Sequence, residues 1–470
     1  MSFWESENIR ADVGGVWLSR PTSTLATGLS TDTRSIKAGQ AFLALTGETF
    51  DGHEMVMDAA AKGSPLAIVD RAVKDSPPTM GVLRVPDTRR ALLRLAAAYR
   101  KTLEGTKVIA VVGSNGKTTT VRLLTSVLSQ ALRGTASIKS FNNEIGVPLT
   151  ILGAAPGDGF LVCEVGTNAP GEIAVLADVV APDVAVITSI GREHLERLVS
   201  LHGVAQEEAS VLEFVRRGGA GIYNADAPHL TEVIAGIKTK PQTLISFGFG
   251  DGADVQVMQA AQGTDGIDLT LNDRARFHIS LLGKHNASNA AAAVAVGRRL
   301  GLRDEQISAG LLAARGPEMR LERSEIGGVS IINDAYNANP DSMRAGLETL
   351  RETGAGAKRR VAVLGDMLEL GTHTEQEHRQ IGAELSRRTD LDLIVLVGPS
   401  MKLAAEQLAK GPGVEWVLDM DAMNAPRIAE RLRAGDVVLL KGSRRMRLER
   451  LLGAVRERFS PAPKPEPTRV

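Results

Sequence analysis

The sequence predicts an α/β protein of three domains, and three observations lead to this prediction. The chain has 470 residues, and domains usually contain about 100–200 residues each. Short β-branched and apolar runs alternate with segments of helical periodicity, as in parallel sheets joined by crossover helices. Glycine is abundant, with 48 residues, which fits many turns at strand ends. The predicted domains are residues 1–104, 105–316 and 317–458.

The composition excludes several classes of protein. The 55 Lys and Arg residues balance the 55 Asp and Glu residues, which argues against a protein that coats nucleic acid or an anionic membrane. Aromatic residues make up only 3%, which disfavours a protein that stacks on bases. The single cysteine, Cys163, excludes an intrachain disulfide and a cysteine zinc cluster. We expect Cys163 to pack in the core of a protein of the reducing cytoplasm.

No segment of the sequence predicts insertion into a membrane. The N-terminal MSFWESENIR lacks the apolar core of a signal peptide. No stretch reaches the roughly 18 uninterrupted apolar residues that a membrane span requires.

In the first domain, the residues predict one strand and two helices. Gln40–Leu45 is the strand candidate, and Asp58–Lys62 and Arg89–Leu103 are rich in alanine or leucine at helical spacing. The polar segment YRKTLEG at 99–105 is the expected linker to the second domain.

The second domain opens with the β-branched strand candidate Lys107–Val112, and a helical pattern follows over Lys117–Leu132. Leu161–Val165 and Val184–Thr188 are further strand candidates. Their apolar runs are nearly continuous, as in strands covered on both faces. We therefore expect a parallel sheet with crossover helices.

The third domain repeats this alternation on a smaller scale. Its strand candidates are Val361–Leu364, Leu393–Val397 and Val437–Leu440, separated by helical patterns. The last residues, 459–470, contain four prolines and no apolar periodicity, and we expect a disordered tail there.

The strongest local signal is the segment GSNGKTT at 113–119, between a predicted strand and a predicted helix. Glycines allow close approach of a phosphate to the backbone, and the helix N-terminus attracts negative charge. Lys117 could reach the outer phosphates, and the Thr118 hydroxyl could bind magnesium. The match to GxxxxGK[ST] is incomplete, because position 111 is valine. The alternative is a glycine-rich turn with a chance lysine.

Two acid–base residues lie at or just past the ends of predicted strands. Glu164 lies at the end of an apolar strand, where a buried charge needs a partner or a metal, and ligands gather at this edge of α/β sheets. It is a magnesium-ligand candidate, with a salt-bridged strand end as the alternative. His194 also lies past a strand end; a lone histidine is more often a surface or core residue than a ligand.

The phosphate loop resembles that of the Mur ligase family, the ATP-dependent amino-acid ligases of peptidoglycan synthesis. Further segments resemble the family member that adds D-alanyl-D-alanine, in the same order along residues 30–450. These are STDTRSIKAGQAFLAL (30–45), FNNEIGVPLTIL (141–152), EVGTNAPGEI (164–173), ITSIGREHLE (187–196), GKHNASNAAAA (283–293), NDAYNANPDSMRA (333–345), LGDMLELG (364–371) and KGSRRMRLE (441–449).

The resemblance implies an N-terminal α/β domain that binds the UDP-sugar, a central parallel-sheet P-loop ATPase domain and a C-terminal Rossmann-like domain that closes over the site. It implies catalytic roles for Lys117, Glu164 and His194, and magnesium ligation by Thr118, Glu164 and His194. The implied nucleotide contacts are Gly113, Ser114, Asn115, Gly116, Lys117, Thr118, Thr119, Asn286, Asn289, Arg320 and Asp334. The implied substrate contacts are Arg34, Asn142, Asn143, Asn337 and Asn339.

One position departs from the family pattern. The family has a lysine shortly after GVA, and carbamylation of that lysine provides a ligand for a second magnesium ion. Here the segment reads GVAQEEAS, which places Glu208 at that position, and no lysine occurs between Lys139 and Lys238. The shorter side chain leaves a shortfall of roughly 3–4 Å. Glu208 could hold magnesium through water or from a closer helix; alternatively, it is a solvated helix residue.

The resemblance implies an enzyme that uses ATP and Mg²⁺ to join D-alanyl-D-alanine to UDP-N-acetylmuramoyl-tripeptide through an acyl phosphate. The balanced charge permits a monomer, which we expect, and the single cysteine fits the cytoplasm. Three alternatives stay open at this point. They are a Mur-type ligase with a different amino-acid or peptide substrate, an ATP-binding relative that has lost catalysis, and a P-loop GTPase or transport ATPase.

Overall fold

The computed structural model describes residues 2–75, 78–263, 265–409 and 413–459. The expected tail at 459–470 falls outside these ranges, apart from Phe459, which ends the last helix instead of beginning a disordered segment. Within the described ranges, no helix is both long and apolar enough to cross a bilayer.

The first domain is a five-stranded sheet in the order β1-β5-β4-β3-β2, parallel except for the edge strand β1. Its elements are α1 (Ser6–Val13), β1 (Val16–Ser19), β2 (Leu29–Ser30), β3 (Ala41–Leu43), α2 (Val56–Ala61), β4 (Leu66–Val69), β5 (Gly81–Arg84) and α3 (Thr88–Thr102). The predicted strand and both predicted helices are present, with ends shifted by a few residues.

The segment YRKTLEG is not an exposed linker, because α3 continues through most of it. Tyr99 and Arg100 are buried, and the Arg100 guanidinium donates to the carbonyl oxygens of Val180 and Ala181, both at 2.9 Å. Leu95 and Tyr99 share one hydrophobic cluster with residues of the second domain. The helix therefore fastens the first domain to the second.

The central domain is a nine-stranded sheet in the order β14-β13-β12-β11-β10-β9-β6-β8-β7. Its elements are β6 (Lys107–Val112), α4 (Lys117–Leu128), β7 (Gly134–Ala136), α5 (Gly146–Leu152), β8 (Phe160–Glu164), α6 (Glu172–Val180), β9 (Val184–Ile187), α7 (Leu195–Leu198), α8 (Leu201–Ala209), β10 (Ala220–Asn224), α9 (Leu230–Gly236), β11 (Thr243–Gly248), β12 (Val255–Gln262), β13 (Ile267–Leu271), β14 (Arg276–Ile279), α10 (His285–Arg299) and α11 (Asp304–Ala313).

The central sheet is parallel from β7 to β12, as expected, and β12, β13 and β14 extend it as an antiparallel meander. The strands β6, β8 and β9 are adjacent and parallel, so their carboxyl ends meet at one edge of the sheet. The phosphate loop follows β6, Glu164 ends β8, and the segment that contains His194 follows β9. Chain topology thus brings the predicted catalytic residues to the same edge.

The third domain is a six-stranded sheet in the order β15-β16-β20-β17-β18-β19, parallel except for β15. Its elements are β15 (Glu322–Ile326), β16 (Val329–Asp334), α12 (Pro340–Thr353), β17 (Arg359–Gly365), α13 (Thr374–Leu385), β18 (Leu393–Val397), α14 (Met401–Ala405), β19 (Val414–Val417), α15 (Asn424–Ala429), β20 (Asp436–Lys441) and α16 (Arg450–Phe459). Two separate hydrophobic clusters contain the apolar side chains of this domain, as expected of a Rossmann-like arrangement with helices on both faces.

Candidate active site

The phosphate loop is the four-residue connection between β6 and α4, and two of its glycines are required by the backbone. Gly113 has φ +121°, and a Cβ there would lie 2.3 Å from the Thr188 hydroxyl oxygen. Gly116 has φ +87°, and a Cβ would lie 2.6 Å from Asn289 Oδ1. The loop is therefore packed closely on the end of β9 and on α10.

Residues that follow β9 hold this loop through hydrogen bonds. The backbone N–H of Ser114 donates to the carbonyl oxygen of Ser189 at 2.9 Å, and the N–H of Asn115 donates to the Ser189 hydroxyl at 2.8 Å. The Thr188 hydroxyl donates to the Asn115 carbonyl at 2.6 Å. The protein's own hydrogen bonds thus fix the conformation of the loop.

Lys117 begins α4, and its side chain turns back toward the loop. The ammonium donates to the carbonyl oxygens of Gly113 and Ser114 and lies 3.6 Å from Glu193 Oε1. Burial by itself would lower the lysine pKa, but the nearby carboxylates of Glu193, Glu208 and Glu164 outweigh it and raise the pKa. Lys117 consequently stays protonated and places a positive charge beside the loop.

Glu164 is the last residue of β8, and its side chain is almost completely buried, with 1% exposed. The Asn142 amide donates to Oε1 at 3.0 Å, whereas Oε2 has no hydrogen-bond partner among the described residues. Burial raises the pKa of this carboxyl group, against the opposing charges of Lys117 and Arg320. The residue forms no ion pair in the described chain, so a salt-bridged strand end does not account for it.

His194 precedes α7 with φ +51°, and it contacts the third domain. Its Nδ1 lies 3.0 Å from Oε2 of Glu369. Burial would lower the histidine pKa, but the hydrogen bond to Glu369 and the charges of Glu193 and Glu369 outweigh it, so the pKa is raised. His194 thus faces the cleft with a carboxylate of the other domain beside it.

A cleft of about 490 Å³ lies between the central and third domains. Fifteen of the predicted site residues line it: Ser114, Asn115, Gly116, Lys117, Thr119, Asn142, Asn143, Glu164, His194, Asn286, Asn289, Arg320, Asp334, Asn337 and Asn339. The phosphate loop, the candidate metal ligands and the third-domain residues therefore face a single cavity.

The remaining predicted site residues lie outside the lining of this cleft. The Thr118 hydroxyl is 3.2 Å from the Ser140 hydroxyl. The N–H of Gly113 donates to Glu208 Oε2 at 2.8 Å. Arg34 lies in the first domain with its side chain 89% exposed, paired with Asp32 at 2.7 Å, and its predicted contact with the UDP-sugar stays a prediction.

The expectation that Glu208 could be solvated is wrong, since only 1% of the residue is exposed. Burial raises its pKa to about 7, although the charge of Lys117 opposes the shift.

No group of three or more His, Cys, Asp or Glu side chains in the described chain is arranged to hold a metal ion. Magnesium usually binds through one or two carboxylates together with substrate phosphates and water, and the unpartnered oxygen of Glu164 fits that mode.

The third domain reaches the phosphate loop directly. The Asn339 amide donates to Asn115 Oδ1 at 3.0 Å. Two further contacts lie within the third domain, at the cleft. The guanidinium of Arg320 lies 4.3 Å from the ring centre of Tyr336. Lys441, which is 2% exposed, donates from Nζ to Asp334 Oδ2 at 2.6 Å.

An ion pair joins the two domains beside the cleft. The backbone N–H of Arg192 donates to Asp341 Oδ2, and its guanidinium donates to Asp341 Oδ1, both at 2.9 Å. Arg192 also lies 3.6 Å from Glu377, which is buried on α13. The segment after β9 therefore contacts the third domain while it holds the phosphate loop.

Sequence reasoning missed several residues of the cleft, namely Ser140, Glu193, His285, Tyr336, Asp341, Glu369 and Lys441. Most lie inside segments already identified: Glu193 precedes His194, Glu369 belongs to LGDMLELG, and Lys441 opens KGSRRMRLE. Their side-chain types and their nearness to recognised motifs were the available signal.

Comparison with known proteins identifies the family. Residues 26–100 match the profile "Mur ligase family, catalytic domain", 111–297 match "Mur ligase middle domain", and 319–444 match "Mur ligase, glutamate ligase domain". The UDP-N-acetylmuramoyl-tripeptide–D-alanyl-D-alanine ligase of Bacillus subtilis is 38% identical over 91% of this chain and 93% of its own. The chain belongs to the Mur ligase family.

Other Mur ligases agree with this assignment. The ligase of the same description from Escherichia coli is 30% identical over 91% of this chain and 93% of its own. A crystal structure of MurF from Acinetobacter baumannii has a TM-score of 0.87 and 31% identity, covering 97% of this chain and 99% of that one. MurF from Thermotoga maritima in complex with ADP has a TM-score of 0.78 and 25% identity, covering 94% and 98%.

Membership of the Mur ligase family bears out the expected fold class and the ATP-dependent amide ligase activity. It argues against a P-loop GTPase or a transport ATPase, because the similarity extends over all three domains and not over the phosphate loop alone.

Proposed function

We propose that this Mur ligase joins D-alanyl-D-alanine to UDP-N-acetylmuramoyl-tripeptide, with ATP converted to ADP and phosphate. The observation that carries the proposal is the cleft itself, in which the phosphate loop, Lys117 and the unpartnered carboxylate of Glu164 face third-domain residues. The substrates are those named for the relatives from B. subtilis and E. coli, which match nearly the whole chain.

The chemistry requires activation of a carboxylate, because a carboxylate is a poor electrophile at neutral pH. In the proposed reaction, a carboxylate oxygen of the tripeptide attacks the γ-phosphorus of ATP and ADP leaves, which produces an acyl phosphate. The amine of D-alanyl-D-alanine then attacks the acyl carbon, and phosphate leaves with the bridging oxygen. Both reactants of the first step are anions, so catalysis depends on positioning and on positive charge.

Lys117 supplies a fixed positive charge for the first step. Its ammonium is held by the carbonyl oxygens of Gly113 and Ser114, beside the loop that we propose binds the phosphates. The N-terminus of α4 and the loop N–H groups add a field that favours anions. The loop binds the phosphates, and Lys117 offsets the repulsion between them and the peptide carboxylate.

Magnesium, when bound, would neutralise phosphate charge and polarise the transferred group. Glu164 would hold it through the unpartnered Oε2, with the Thr118 hydroxyl and His194 as further candidates. The fit rests on the buried, unpaired carboxylate, which is costly in the folded protein unless a cation binds it.

Closure of the third domain would exclude water from the cleft, and this matters because water hydrolyses an acyl phosphate. The contacts Asn339–Asn115 and Arg192–Asp341 hold the third domain against the phosphate loop. They leave Arg320, Asp334 and Lys441 facing the cleft, where we propose that they contact the nucleotide. The proposed contacts of Asn142, Asn143, Asn337 and Asn339 with substrate follow from their positions around the same cavity.

The test is product formation by the purified protein. UDP-linked dipeptide, tripeptide and tetrapeptide are compared as acceptors, each with D-alanyl-D-alanine and with single amino acids. We expect only the tripeptide with the dipeptide to yield a product, identified by mass. Product from another pair would indicate a Mur-type ligase of different specificity, and ATP binding without any product would indicate a relative that has lost catalysis.

We also propose that the enzyme works as a monomer in the cytoplasm, where ATP and nucleotide-linked precursors are available. The balanced charge supports the absence of a nucleic-acid partner. Light scattering on the purified protein should give the mass of one chain, 49.8 kDa; a mass of twice this value would contradict the monomer.

A further inference from the structure

Glu208 points from α8 into the interior of the central domain. The side chain is buried, and Oε2 accepts a hydrogen bond of 2.8 Å from the backbone N–H of Gly113. Gly113 is the first residue after β6 and the first residue of the phosphate loop. The carboxylate therefore contacts the first residue of the phosphate loop directly.

Gly113 is held from two sides. Its N–H donates to Glu208, and its carbonyl oxygen accepts from the Lys117 ammonium. Its backbone has φ +121°, and the nearby Thr188 leaves no room for a side chain. A buried N–H without an acceptor is costly, so loss of the Glu208 oxygen would favour a different loop conformation and displace the carbonyl that holds Lys117.

The neighbouring Glu207 shows the same kind of contact at a different loop. It accepts hydrogen bonds from the backbone N–H groups of Gly171 and Ile173 at 2.7 and 2.8 Å, and so holds the start of α6. Two adjacent glutamates of α8 thus each hold one loop at the same edge of the sheet. Only Glu208 contacts the loop that we propose binds phosphate.

We propose that Glu208 is a positioning residue of the phosphate loop, acting on Lys117 through Gly113, and that it does not serve as a ligand of a second magnesium ion. The proposal rests on the proposed function only in that the loop binds the phosphates of a nucleotide. The geometry favours it because the carboxylate accepts from a backbone N–H and does not line the cleft.

Two conservative substitutions separate hydrogen bonding from charge. Glu208→Gln retains an oxygen acceptor at the same reach and removes the charge. Glu208→Asp retains the charge and withdraws the carboxylate by one methylene group. A positioning residue should therefore be replaced better by glutamine, whereas a metal ligand should be replaced better by aspartate.

The first measurement is ADP binding by isothermal titration calorimetry, in EDTA so that divalent metal is absent. We expect Glu208→Gln to bind within about threefold of the wild type, and Glu208→Asp and Glu208→Ala to bind about tenfold or more weakly. Glu207→Ala is the matched control: it should lower the melting temperature and leave ADP affinity within about twofold. If Glu208→Ala does not fold, the glutamine and aspartate variants still decide the question.

The second measurement is the magnesium dependence of phosphate release at saturating substrates. The proposal predicts the same magnesium concentration for half-maximal rate in wild type and Glu208→Gln, with a raised KM for ATP in Glu208→Asp. A glutamine variant that needs much more magnesium, together with a near-normal aspartate variant, would overturn the proposal. ADP binding can be measured whether or not the enzyme joins the proposed substrates. Failure of the proposed reaction would therefore leave the calorimetric result interpretable.

Discussion

The ion pair between Arg192 and Asp341 offers a quantitative test of how the two domains are held together. Both side chains are partly exposed, at 38% and 37%, so solvent screens the interaction and an exposed-pair value of about 0.2–1 kcal/mol applies. The guanidinium and the backbone N–H of Arg192 both donate to Asp341 at 2.9 Å, which favours the upper half of this range. Loss of the pair should therefore make the closed arrangement of the two domains less stable by about 0.5–1 kcal/mol.

This energy corresponds to about a two- to fivefold lower kcat/KM, because 1.4 kcal/mol is tenfold. Asp341→Ala removes both hydrogen bonds between the two residues, whereas Arg192→Ala keeps the backbone N–H donor and loses the 3.6 Å contact with Glu377. The double variant should cost less than the two single variants together, because both substitutions remove the Arg192–Asp341 ion pair. Steady-state phosphate release is measured for the wild type, the two single variants and the double variant, which together form a double-mutant cycle.

The matched control is the pair of Arg298 and Asp304, which is similarly exposed and lies within the central domain. Breaking it should change the melting temperature and leave kcat/KM unchanged. Additive effects of Arg192→Ala and Asp341→Ala, or an equal loss of kcat/KM in the control pair, would refute the assignment of this ion pair to domain closure.

Three further predictions follow from the cleft. Lys117→Ala should fold normally and lose ATP-dependent ligation by a factor of at least about 100, because one preorganised donor to a developing charge is worth about that much; near-wild-type turnover of the folded variant would disprove the role of the loop. Glu164→Gln should need more magnesium and turn over more slowly, while its melting temperature without ligands is no lower than that of the wild type, since a buried carboxylate with one unpartnered oxygen destabilises the fold; unchanged magnesium dependence would exclude Glu164 as a ligand. Removal of bicarbonate should not alter the rate, because position 208 has no lysine to carbamylate, and stimulation by bicarbonate would count against this.

The strands that carry the site were predictable because burial on both faces imposes continuous apolar runs. Lys107–Val112 and Leu393–Val397 have the predicted bounds. The meander of β12, β13 and β14 was not predicted, because half-exposed antiparallel strands alternate polar and apolar residues and give a weaker signal. Helix α4 ends at Leu128 and not at Leu132, since periodicity does not identify the last turn.

The candidate site was predictable where a residue lies in a motif or at a strand end. Glu164 and His194 do face the same cleft as Lys117. The partners of these residues were not predictable, because they come from distant parts of the chain: Glu369 approaches His194, and Asn339 reaches Asn115. The contact made by the Glu208 side chain was not predictable either, because it depends on the orientation of one backbone N–H of the loop, that of Gly113.

The most direct test of the central claim follows the oxygen that ATP activates. UDP-N-acetylmuramoyl-tripeptide labelled with heavy oxygen in the reacting carboxylate is incubated with ATP, D-alanyl-D-alanine and the enzyme, and the released phosphate is analysed by mass. Activation through an acyl phosphate predicts one labelled oxygen in the phosphate for each molecule of product. Unlabelled phosphate, or phosphate release that does not require the dipeptide, would contradict the account.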